Sequence, residues 1–127
     1  MNDSDGSESG DENYFCHIII PSKNYLKSKV FFENVFGWKV EEQTGTNTLE
    51  VLPKPRKGPS AELNSEAKTI IPSILTSDID AKLRLIEKFG GKRLTDKTPI
   101  GKEGERGGYY ALFEDPQGNV MCLYSGK

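Results

Sequence analysis

Histidine occurs once in these 127 residues, tryptophan once and cysteine twice. Two cysteines, Cys16 and Cys122, are too few to staple a small secreted fold, so a reducing, cytoplasmic setting is expected. Apolar runs are short, and none approaches the ~20 residues of a membrane-spanning helix. The N-terminus lacks the basic start and apolar middle of a signal peptide, so no membrane partner is expected. Basic residues are missing altogether from residues 1–12, "MNDSDGSESGDE", which hold five acidic ones. This polar, self-repelling stretch reads as a disordered acidic tail. Without those five, 14 acidic residues remain against 17 basic ones, so the body carries a net charge of +3. It has no basic stripe with interleaved aromatics, which argues against nucleic acid as a partner.

What remains, residues 13–127, is long enough for one domain with its own core. It reads as a sequence repeated, with modules at about 14–64 and 69–126. The first opens with the apolar run "FCHIII", followed by Pro21 and Ser22. In "KNYLKSKVFFENVFGW", Tyr25, Leu26, Val30, Phe32 and Phe36 fall on one broad helical face, with Ser22 as N-cap and Gly37 as the stop. Three short extended segments follow, "WKVEE", "NTLEVLP" and "SAELN". The second half repeats the order: "IIPSILT" as a strand, with Pro72 at an edge or an irregular start, then "SDIDAKLRLIEKFGG" as a helix. Ser77 or Asp78 caps that helix, and Gly90–Gly91 ends it. "KRLTDKT", "GYYALFE" and "NVMCLYS" are the remaining strands, the last two joined by a type I turn at Asp115–Gly118. The pattern is β-α-β-β-β, twice, an α+β class in which neither half buries its sheet alone.

The lone histidine, His17, sits inside "YFCHIIIPS". Alternation places Phe15, His17 and Ile19 on one face of that strand and Cys16, Ile18 and Ile20 on the other. Both faces are largely apolar, so the ring points into an interior or a cavity.

The segments "HIIIPS", "FFENVFGWKVEE", "SDIDAKLRLIEKFGGK" and "ALFEDPQGNVMCLY" together resemble the glyoxalase/bleomycin-resistance/extradiol-dioxygenase superfamily, also called vicinal oxygen chelate. The resemblance covers about residues 14–126 and implies paired β-α-β-β-β modules curving as a half-barrel round a cavity. The superfamily includes lyases, dioxygenases, antibiotic-resistance proteins and simple binders. Its metal-binding members converge four ligands, one from the first and one from the last strand of each module, around Zn, Ni, Mn or Fe. The resemblance places His17 and Glu62 at the first two positions, with Glu50 as a fallback for Glu62. In the second half, Ile70, Ile71 and Pro72 stand where a histidine is wanted, and Cys122 where a glutamate is wanted. The set is incomplete.

The reading that follows is a superfamily protein binding a small molecule in its sheet cavity without a complete metal site. The alternative is a metal-dependent glyoxalase-type lyase or a dioxygenase using His17 and Glu62. Tyr110, Arg106 and Trp38 are the other candidates for ligand contact, Arg106 from the glycine-rich flap "IGKEGERGGYY". Phe31 and Val35 add apolar surface beyond the first helix's main face, and with the superfamily's habit of pairing modules across chains this implies a homodimer.

Overall fold

The structure is a computed structural model that describes residues 12–43, 45–53, 57–101 and 107–127. Among them are nine strands and two helices, and the chain divides into two compact units. One is Cys16–Pro72; the other is Ser73–Lys127 with the N-terminal stretch that ends at Phe15.

In the Cys16–Pro72 unit, β1 (Phe15–Pro21) leads to α1 (Tyr25–Phe36), then β2 (Lys39–Glu42), β3 (Thr48–Leu52) and β4 (Ser60–Asn64). The strands lie in the order β2-β3-β4-β1. The two antiparallel pairs are hairpin neighbours, whereas β4 returns to run parallel to β1. The N-cap of α1 is Asn24, whose side chain accepts from Lys27 N at 3.0 Å, rather than Ser22. Ser22 is still tied to the sheet, its N–H donating to Asn64 O at 3.1 Å, so the chain turns into the helix only after it. Gly37 stops the helix at φ +70°, a left-handed position that a side chain disfavours, and its N–H returns to Glu33 O at 3.0 Å.

The core of this unit is Val40, Val51, Ala61 and Leu63, with Ile18, Ile20, Tyr25 and Phe32 packed against it. Only part of the expected helical face goes inward. Leu26, Val30 and Phe36 are 69%, 51% and 53% exposed, because Tyr25 and Phe32, one helical repeat apart, already span the contact with the sheet.

The other unit runs β5 (Ile71–Leu75), α2 (Ile79–Lys88), β6 (Lys92–Arg93), β7 (Thr98–Pro99), β8 (Tyr109–Glu114) and β9 (Val120–Ser125). Again the first and last strands, β5 and β9, pair in parallel. Asp78 caps α2 by accepting from Ala81 N at 3.0 Å, and the helix buries Ile79 and Leu83 against Ala111, Phe113 and Leu123. The single strand expected at "KRLTDKT" is broken. Leu94 N and Thr95 N both donate to Leu112 O, at 2.9 and 3.1 Å, two residues against one. The ladder therefore loses its alternation there and resumes at β7. The turn at Asp115–Gly118 forms as expected. Gly118 N donates to Asp115 O at 2.9 Å, and the Asp115 carboxylate gathers Gln117 N, Asn119 N and Asn119 Nδ2.

Glu12, read with the acidic tail, is docked on this unit. Its carboxylate accepts from Ser77 N at 3.0 Å and Ser77 Oγ at 3.1 Å. The first of these bonds holds its carboxyl below the ordinary range. The rest of the tail, residues 1–11, lies outside the described residues.

Candidate functional site

Because Ala61 and Leu63 of β4 turn toward α1, alternation sends Ser60, Glu62 and Asn64 to the opposite face. The same rule turns Ile18 and Ile20 of β1 to the core and His17 away from it. The parallel register pairs His17 with Ser60 and Ile19 with Glu62. His17 can thus reach straight across and diagonally at once. Its Nδ1 lies 2.7 Å from Ser60 Oγ and its Nε2 lies 2.9 Å from Glu62 Oε1. Glu62 Oε2 in turn accepts from Asn64 Nδ2 at 2.9 Å. A flipped ring would put carbon atoms at both contacts, so the two partners fix its orientation.

The His17 and Glu62 side chains are 24% and 18% exposed. Burial pushes the Glu62 carboxyl up. The hydrogen bonds from His17 and Asn64, with the electrostatic attraction of His17, outweigh it and leave the group below its ordinary value. Glu50 is the register partner of Glu62, and Glu41 that of Glu50, so three carboxylates stand in a row across β2, β3 and β4. Glu41 is paired with Lys39 at 2.8 Å. Among the described residues no side chain is hydrogen-bonded to the Glu50 carboxylate, and it is Glu62, not Glu50, that meets His17.

The two halves of the expected ligand set differ in chemistry. In the second unit β5 and β9 set Ser73, rather than Ile70 or Ile71, opposite Cys122, and both are buried. Ile70 lies outside the strand altogether and is 61% exposed. The Cys122 thiol donates to Leu123 O at 3.3 Å. A buried serine hydroxyl and a buried cysteine stand where the superfamily pattern calls for an imidazole and a carboxylate. Among the described residues no three His, Cys, Asp or Glu side chains gather as they would round a metal. The residues present do not fit the four-donor centre.

Trp38 goes elsewhere. The left-handed turn at Gly37 folds the chain back against the helix end, and the indole stacks on Phe36 and Phe32 with centroids 5.0 and 5.5 Å away. It packs on the core side of its sheet, opposite to His17. In the other unit Tyr109 joins the α2 core, which leaves Tyr110 on the face away from α2, between Thr98 and Tyr124. Arg106 lies outside the described residues. Ser60 and Asn64 were not singled out from sequence, although "SAELN" places both two residues from Glu62 and hence on its face.

The sequence pattern of the Glyoxalase/Bleomycin resistance protein/Dioxygenase superfamily matches residues 15–123. The chain belongs to that superfamily. Solved structures repeat its fold. A hypothetical protein from Bacillus halodurans C-125 covers 91% of this chain and 95% of its own at 16% identity, with a TM-score of 0.64. Streptomyces coelicolor methylmalonyl-CoA epimerase, in complex with 2-nitronate-propionyl-CoA, covers 91% and 99% at 15% identity and a TM-score of 0.63. The methylmalonyl-CoA epimerase of Mycobacterium tuberculosis covers 89% and 87% at 13% identity and 0.62. At these identities the likeness is one of fold. No curated protein matches the sequence significantly. Within the superfamily architecture, the described residues form no helix long and apolar enough to cross a membrane.

Proposed function

We propose that this superfamily member binds a small molecule on the polar sheet face of its Cys16–Pro72 unit, with His17 and Glu62 serving as a hydrogen-bonded pair rather than as half of a metal centre. One observation carries the reading: both ring nitrogens of His17 are engaged, by Ser60 at 2.7 Å and by Glu62 at 2.9 Å. A metal would need the lone pair of one nitrogen and would displace a partner. The pair is part-exposed, so the oxygen of a carbonyl or hydroxyl ligand can reach it. Each such contact is worth about one to three kcal/mol when one partner is charged and partly buried.

The test is metal content of protein purified without added metal and dialysed. The expected result is far less than one equivalent of Zn, Ni, Mn or Fe, unchanged in His17→Ala. Stoichiometric metal in the wild-type protein, lost in His17→Ala, would overturn the reading and favour a metal-dependent lyase or dioxygenase.

We further infer that two copies associate through α1. Phe31, Val35 and Phe36 are 53%, 56% and 53% exposed and close together at the end of the helix. Lys29 and Glu33 beside them neutralise one another at 2.7 Å. Leu26 and Val30, 69% and 51% exposed, add to the apolar side chains the helix presents to water, the kind of surface that marks an interaction site. Apolar residues meet their own copies across a two-fold axis without repulsion.

A further inference from the structure

Ser60, His17 and Glu62 form one continuous chain of hydrogen bonds, and its order is that of a nucleophile, a base and an orienting carboxylate. Each link has a chemical direction. Glu62 is acceptor-only when ionised, so the hydrogen in its 2.9 Å contact belongs to His17 Nε2. In the neutral ring this leaves Nδ1 with its lone pair, facing Ser60 Oγ at 2.7 Å. The Ser60 hydroxyl has a second acceptor in reach, Cys16 O, but at 3.5 Å. The shorter, better-placed contact takes the hydrogen. Asn64 Nδ2, at 2.9 Å from Glu62 Oε2, holds the carboxylate from its far side and is a positioning residue. All four side chains are partly buried rather than sealed, so an electrophile can approach Ser60.

We propose that Ser60 is a nucleophile activated by His17, with Glu62 orienting the ring, and that it accepts acyl groups from carboxylic esters or thioesters. In the step, Ser60 Oγ forms a bond to the acyl carbon while its proton passes to His17 Nδ1. Collapse of the tetrahedral adduct breaks the bond to the leaving alcohol or thiol, which takes that proton from Nδ1. Water, again deprotonated by His17, then attacks the acyl-serine and releases the acid, returning the proton to Ser60 Oγ. The arrangement satisfies the geometric signature of an activated nucleophile: nucleophile and base within hydrogen-bond reach, and the base held by a third group.

The proposal rests on the metal-free reading of His17, since a metal held by Nε2 and Glu62 would leave the ring's hydrogen on Nδ1, the nitrogen that serves as base. A fluorophosphonate reagent, which phosphonylates activated serines, provides the test on the full chain, with adducts located by peptide mass spectrometry. We expect Ser60 to be modified at least about 100-fold faster than in His17→Ala, the scale of general-base assistance. Glu62→Gln, which keeps a hydrogen-bonding side chain in place, should fall between the two. Metal-free wild-type protein in which Ser60 is no more reactive than other serines overturns this proposal alone. So does equal labelling of the wild-type protein and His17→Ala. Stoichiometric metal in the same preparation overturns the reading beneath it as well.

Discussion

Glu62 is held by both of its carboxylate oxygens, one accepting from His17 Nε2 and the other from Asn64 Nδ2, each at 2.9 Å. The group binds its proton less readily folded than unfolded, despite the burial that works the other way. Its stabilising contribution is therefore complete above the unfolded carboxyl value, about pH 4.3, and is lost as pH falls through the lower folded value. Melting temperatures measured between pH 2 and 6 should fall more steeply in the wild-type protein than in Glu62→Gln. Parallel curves for the two would show that the carboxylate gains nothing from its partners.

Glu50 stands directly across from Glu62 on β3 and β4, and from Glu41 on the other side. Like charges at opposed positions repel, by about 0.2–1 kcal/mol. Glu50→Gln removes that repulsion without changing the size of the side chain, so urea denaturation at pH 7 should show a gain of that order. The gain should shrink in high salt, which screens the repulsion. A loss of stability would mean that Glu50 makes a compensating contact.

Phe31 and Val35 project from α1 with more than half of their surfaces exposed. Sedimentation at micromolar concentration should give twice the 14.1 kDa chain mass for the wild-type protein and the single-chain mass for Phe31→Asp with Val35→Asp. A monomeric wild-type species would remove the role assigned to the helix.

Gly91 follows α2 where the chain passes under its last turn. A Cβ there would lie 2.5 Å from Ile86 Cγ2 and 2.7 Å from the backbone oxygen of Glu114. The side-chain atom can move, but the backbone oxygen belongs to β8 and cannot do so without disturbing the ladder. Gly91→Ala should cost about 1–3 kcal/mol, the usual range for overpacking. A melting temperature within a degree of wild type would show that this corner is looser than it looks.

Local pattern placed most of the elements and several of their faces. The 3.6-residue spacing of Ile79 and Leu83 was enough to place both against the sheet, and strand alternation was enough to separate His17 from Ile18 and Ile20. Gly37 and Gly118 announced their turns because a left-handed conformation suits few other residues, and Asp115 because its carboxylate accepts from the turn's own N–H groups. The superfamily itself was legible, since helix stops, turn and strand order agreed along most of the chain. The helix start was not. Ser22 and Asn24 are both competent caps, and only the bond from Ser22 N to Asn64 O decided between them. Nor could α1 show which of its apolar residues go inward, because nearly every side of it carries one, and the sheet has room only for Tyr25 and Phe32. The site depended most on tertiary structure. His17 is 43 residues from Ser60 and 45 from Glu62. The sequence by itself determined which faces these residues occupy, through the two-residue period of their strands. Which of Glu50 and Glu62 meets the ring was decided by the parallel pairing of β1 with β4, because a strand pattern carries its own period but not the register of a distant partner.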